Sequence, residues 1–176
     1  MSIGDAVNAH CEAGTLHILP AGPFGRKRRT LCVSSVIKEQ LDRAQTDEPD
    51  RSLWAKARYR LSEFVWGDVI RVRLRRKARK NDNAHMVRLH PPDEEVWEYR
   101  YLEKSLGVRF FGRFADQDFF VALLWQYRGA FEDEDDPLWK EYARSCIAEW
   151  ERLFPGIPPF SAEEFPDGYI LDAFPV

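Results

Sequence analysis

Residues 96–127 contain three apolar runs joined by connections too short for anything but antiparallel pairing. Residues 96–102 and 108–114 flank a turn containing Gly107, and Asp116-Gln117 leads into residues 118–127. A parallel pair needs a crossover of roughly a dozen residues, which neither connection has. Side chains alternate between the faces of a strand, so Trp97, Tyr99 and Tyr101 share one face of the first run. Val108, Phe110 and Phe114 share one face of the second. The opposite faces then carry Glu98 with Arg100, and Arg109 with Arg113. The third run is apolar on both faces until Gln126 and Arg128, the pattern of a central strand. The segment predicts a meander with one apolar face and one arginine-bearing face.

Helical spacing brackets this sheet. Ser34 or Ser35 caps a first helix with Val33, Ile37, Leu41 and Ala44 on one stripe. Ser52 caps a second, in which Trp54, Ala57, Leu61, Phe64 and Val65 recur. The short gap between them predicts an antiparallel helical hairpin. A strand is expected at residues 15–19, before Pro20, Gly22 and Pro23, and the first fourteen residues are expected to fray. After the sheet, an acidic block at residues 132–136 precedes Pro137, which suits the first position of a helix. Trp139, Tyr142, Ala143, Cys146, Trp150 and Leu153 form its apolar stripe. Residues 155–176 hold five prolines and predict an irregular tail anchored by Phe160, Phe165, Tyr169 and Phe174. The expected fold is thus α+β. A helical hairpin packs on a small antiparallel meander in one domain over residues 1–176, with a core at 15–131 and a C-terminal extension at 132–176.

Twelve Phe and six Trp supply enough large apolar surface for a packed core and exclude a disordered chain. No apolar run approaches the roughly 20 residues of a membrane helix, and the first ten residues lack the regions of a signal peptide. A cytoplasmic protein without membrane contact is expected. Cys11, Cys32 and Cys146 are scattered and odd in number, which predicts reduced thiols. No Cys-x-x-Cys pair, phosphate-binding loop or His-Glu-x-x-His motif occurs, and neither a metal nor another cofactor is expected. His10, Cys11 and His17 lie close in sequence, but in a segment expected to be too loose for a metal. His85 and His90 flank a loop and read as ordinary surface histidines.

The net charge of −3 conceals an asymmetry. Residues 1–90 hold 18 Lys and Arg against 10 Asp and Glu, a balance of +8; residues 91–176 hold 8 against 19, a balance of −11. The basic excess centres on Arg26-Lys27-Arg28-Arg29 and on residues 71–80, RVRLRRKARK, where seven of ten residues are basic. The second run can contact nucleic acid through Arg73, Arg75, Arg76 and Lys77, stand as a solvated arm, or dock on the acidic block. No aromatic residue interrupts it, so base stacking within the run is not indicated.

Arg100, Arg109, Arg113 and Arg128 come from three neighbouring strands, with Lys104 at the first turn. Such charges must be solvated, paired with Glu98 and Glu103, or offered to an anion. An ion-pair lattice and a phosphate-binding cleft are both open, since guanidinium groups meet phosphate oxygens in bidentate fashion.

Two helices, then W-E-Y-R, G-V-R-F-F-G-R-F and D-F-F-V-A-L-L-W-Q-Y-R, resemble toxins of the RelE/ParE superfamily of bacterial type II toxin–antitoxin pairs. The HigB-like, phage-encoded branch is included in the resemblance. The family pattern falls on Trp97, Glu98, Arg100, Gly107, Arg109 and Arg128, and the similarity spans roughly residues 15–131. It implies a strand, a helical hairpin and a meander, and a metal-independent endoribonuclease acting on RNA at the ribosome under the control of an antitoxin. In that chemistry the ribose 2′-hydroxyl attacks the adjacent phosphate, which requires a base, cations and an acid. The resemblance assigns phosphate stabilisation to Arg109 and Arg128, with Tyr127, His85 or His90 in proton transfer. Arg100, Lys104 and Arg113 would bind substrate. The sequence departs from the family in its pI near 5.9, its acidic extension and the lack of lysines on the strand of Glu98. The alternative is a non-catalytic relative that binds nucleic acid or a protein through residues 71–80.

Overall fold

The three-strand meander is present and is the middle of something larger. The computed structural model describes residues 1–21, 27–43, 51–73, 83–103, 106–132, 136–163 and 166–176. β5 (Trp97–Glu103), β6 (Leu106–Asp116) and β7 (Phe119–Tyr127) pair antiparallel, with Arg100 opposite Arg109 and Arg109 opposite Gln126. β7 is central as expected, because its free side takes β2 (Thr30–Ser34) in parallel.

The expected small antiparallel sheet is therefore corrected to a mixed one of eight strands. Its order is β1-β2-β7-β6-β5-β4-β3-β8, adding β1 (Leu16–Ile18), β3 (Arg71–Arg73), β4 (Met86–Arg88) and β8 (Phe174–Pro175). β3 runs parallel to both of its neighbours. β2 was hidden because Ser34 works twice. Its hydroxyl donates to the Leu123 carbonyl at 2.7 Å as part of the sheet, and accepts from the Ile37 N–H at 3.5 Å at the start of the next helix.

Among the described residues four α-helices accompany the sheet. α2 (Ser35–Arg43) and α3 (Arg51–Trp66) fall where periodicity places them, as does α4 (Leu138–Leu153). The chain start is ordered rather than frayed. α1 (Ile3–Glu12) is held by a capping box in which Ser2 Oγ accepts from the Asp5 N–H and the Asp5 carboxylate accepts from the Ser2 N–H.

The helices divide between the faces of the sheet. α2 and α3 bury Ile37, Leu41, Trp54, Leu61 and Phe64 against Trp97, Tyr99, Val108, Phe110 and Phe114, the predicted apolar face. α1 and α4 bury Ala6, Val7, Trp139, Cys146 and Trp150 against Cys32, Phe111, Val121 and Leu123 on the other. The face expected to bear the arginines thus carries a second core, and the mixed α/β fold encloses the sheet between helices.

The described part of the tail is mostly irregular, as expected, and backbone bonds hold it at several points. The N–H of Phe160 reaches the Phe114 carbonyl, and the N–H groups of Phe174 and Val176 reach Ile70 and Val72. These bonds turn alternate N–H groups of β8 toward β3. The outward position is Pro175, which has no N–H to offer a further strand, so the sheet edge is closed to extension there. Arg29 clasps the same region: it donates to Asp118 at 3.1 Å and to the carbonyls of Asp68 and Leu171 at 2.8 and 2.7 Å. Glu95 does likewise, its Oε1 accepting from Arg88, Ser161 and Tyr169. Among the described residues no helix is long and apolar enough to cross a membrane.

Candidate functional site

Alternation along β5 and β6 places Glu98, Arg100, Arg109 and Arg113 on the face toward α4, as the sequence predicts. Their environment is not a cleft. Glu98 is 1% exposed, Arg100 7%, and Arg109 and Arg113 5% each. One carboxylate oxygen, Glu98 Oε1, takes Arg100 Nε at 3.0 Å and also contacts Arg109 Nη1. The Arg109 guanidinium then lies over the Trp139 ring of α4, 5.0 Å from its centroid. Arg113 donates to the Glu94 carbonyl and lies 5.6 Å from the Trp150 centroid, and burial lowers its pKa. Arg73 is also buried, in the cross-strand row that runs through Val87 to Glu98.

Arg109, Arg128 and Tyr127, the last of them one of three candidates for proton transfer, do not form one constellation. Arg109 stands opposite Gln126 and faces α4, whereas Tyr127 stands opposite Val108 and faces α3. Tyr127 accepts from the Trp54 indole at 3.4 Å and packs 5.1 Å from Trp125. The sheet therefore separates the phenol from the guanidinium. Arg128 is half-buried at the start of a 3-10 turn (Arg128–Ala130) and donates to the Phe131 carbonyl at 3.1 Å. Lys104, Arg75, Arg76 and Lys77 lie outside the described residues.

His85 is buried, not an ordinary surface histidine, and His90 is exposed. Arg71 Nη2 lies 2.6 Å from His85 Nε2, and a guanidinium can only donate, so Nε2 accepts from Arg71. Burial first, then the charges of Arg60 and Arg71, push the His85 pKa down to about 4. At pH 7 it is a neutral acceptor with no second proton to give a leaving group. The unfolded chain binds that proton near pH 6.5 and the folded one only near pH 4. Stability is thus expected to fall, by on the order of 2–3 kcal/mol, as pH drops through this window. Urea titrations at pH 7 and 4.5 check this: His85→Gln should flatten the difference, and an unchanged difference contradicts the assignment.

Sequence reasoning missed the two residues that close the site, Trp139 and Trp150, as partners of arginine. Their stripe on α4 was visible, but nothing in its spacing names the face it covers. Glu98 was named as one of two pairing acids and proves to be the hub. Among the described residues no group of three or more His, Cys, Asp and Glu is placed to hold a metal ion. No family model, curated protein or solved structure matches the chain.

Proposed function

We propose that this chain is a non-cleaving, RelE-like module that binds nucleic acid through the basic segment at residues 71–80. The observation that carries the reading is the position of Glu98. Its carboxylate takes up Arg100 and Arg109 beneath Trp139, so Arg109, one of the two guanidinium groups that cleavage would require, faces the interior. Catalysis needs cations preorganised around the reacting phosphate, and a buried pair meets a carboxylate instead. The longest run of positive charge in the sequence includes Arg75, Arg76, Lys77, Arg79 and Lys80, a stretch with no acidic residue among them. Phosphate contacts by such a run give binding that is strong at low salt and indifferent to sequence.

The test is expression followed by binding. Production of the chain in bacteria is expected to leave growth and cellular RNA intact. The purified chain is expected to retain short single-stranded RNA, and replacement of the five cations by Gln to abolish retention. Growth arrest relieved by Arg109→Ala would overturn the proposal in favour of an antitoxin-controlled endoribonuclease using Arg109, Arg128 and Tyr127.

A further inference from the structure

We infer that Tyr59, backed by Trp66 on the helix whose C-terminal end meets Arg28, is a base-stacking site for single-stranded nucleic acid on the outer side of α3. This rests on the nucleic-acid reading above and adds to it what the basic segment lacks, an aromatic surface.

Tyr59 and Trp66 are seven residues apart on one helix and so share a face. Tyr59 is 57% exposed, far more than the aromatic residues of either core. Its ring meets Trp66 edge to face, with centroids 5.5 Å apart and planes at 79°. Trp66 is fixed in turn, half-buried with its indole N–H donated to the Ala21 carbonyl. The phenol is therefore propped by a rigid neighbour while remaining open to a ligand.

Cations stand at the C-terminal end of α3, next to Trp66 in the chain. The helix stops at Gly67, at φ 86°, with its N–H on the Phe64 carbonyl and the Asp68 N–H on the Glu63 carbonyl. The missing side chain leaves room for the stem of Arg28, whose Cδ would lie 2.6 Å from a Cβ on Gly67. The Arg28 N–H bonds to the Val65 carbonyl at 2.9 Å, which fixes this strand of chain against the helix end beside Trp66. Arg28 and Lys27 are both exposed, and among the described residues neither takes part in an ion pair. Of the run at residues 26–29, Arg29 is the internal clasp and these two point charge outward. An exposed phenol on a helix whose end meets Arg28, with Lys27 next to it in the chain, suits an unstacked base whose phosphates run toward that helix end. The excess of +8 in residues 1–90 complements a polyanion. Bases in a duplex are already stacked on one another, so the site selects single strands.

Fluorescence anisotropy with a labelled oligouridylate, and with an RNA duplex of equal length, tests this on the full chain. The single strand is expected to bind more tightly than the duplex. Tyr59→Ala should weaken single-strand binding about tenfold while Tyr59→Phe, which keeps the ring, leaves it unchanged. Replacing Lys27 and Arg28 with Gln should reduce the slope of log affinity against log salt by about 1.4. If Tyr59→Ala binds like the wild type while the variant neutralised at 75–80 does not bind, the stacking site is overturned and the broader reading stands. If the wild-type chain shows no salt-dependent binding, both fall.

Discussion

Glu98→Gln lowers the free energy of unfolding by about 3–5 kcal/mol, the largest electrostatic effect expected in the molecule. The amide keeps the size of the side chain but removes the charge that Arg100 and Arg109 share. Both guanidinium groups sit in a low-dielectric layer between the sheet and α4, where water cannot replace the lost partner. The penalty therefore belongs to the cations left behind rather than to the bond removed. A second variant separates these ideas. Replacing Glu98, Arg100 and Arg109 together with Met should recover most of the loss, because apolar side chains of similar volume need no counter-charge. Urea denaturation read by tryptophan fluorescence measures both. A loss below about 1 kcal/mol for Glu98→Gln would mean that the arginines are solvated and the face is open.

Gly112→Ala is expected to cost about 3–4 kcal/mol, or roughly 10 °C in Tm, through backbone collision rather than charge. The register of β6 against β7 shifts between Phe111 and Gly112, so the strands crowd at this point. A methyl group there would lie 2.1 Å from the Val121 carbonyl oxygen and 2.9 Å from the Ala122 Cα. Neither is a flexible chain end, and relief would require the two central strands to part. Gly129→Ala is the matched control, since a Cβ there meets nothing within 4 Å. Thermal melts of the two variants should differ sharply; equal melting points would contradict the bulge.

What the sequence made legible follows from period. The apolar stripes of α2, α3 and α4 and the alternation in β5 and β6 placed those elements, and alternation alone put Glu98, Arg100 and Arg109 on one face. Period specifies which face a residue takes and is silent on what covers that face. The burial of the arginines depends on α4 returning across the sheet, a contact made by residues some 30 positions away in the chain, Arg109 and Trp139 among them. The missed strands have a different cause. β4 has three residues and β8 two, too few for any alternation, and both are held by backbone bonds to neighbours distant in sequence. α1 did carry a signal, Ser2 three residues before Asp5, and the expectation of a frayed start set it aside. His85 looked like a surface residue because the two arginines that lower its pKa come from α3 and β3, not from its own loop.

The central claim is that cations of the sheet serve the interior while those of residues 75–80 serve a polyanion. Binding of short single-stranded RNA measured across a range of salt concentrations tests it most directly. The account expects log affinity to fall linearly against log salt, with these five cations contributing about −3.5 to the slope, about 0.7 for each of five phosphates, and that contribution to vanish when they become Gln. A flat dependence in the wild type, or a slope that the replacement leaves unchanged, would contradict it.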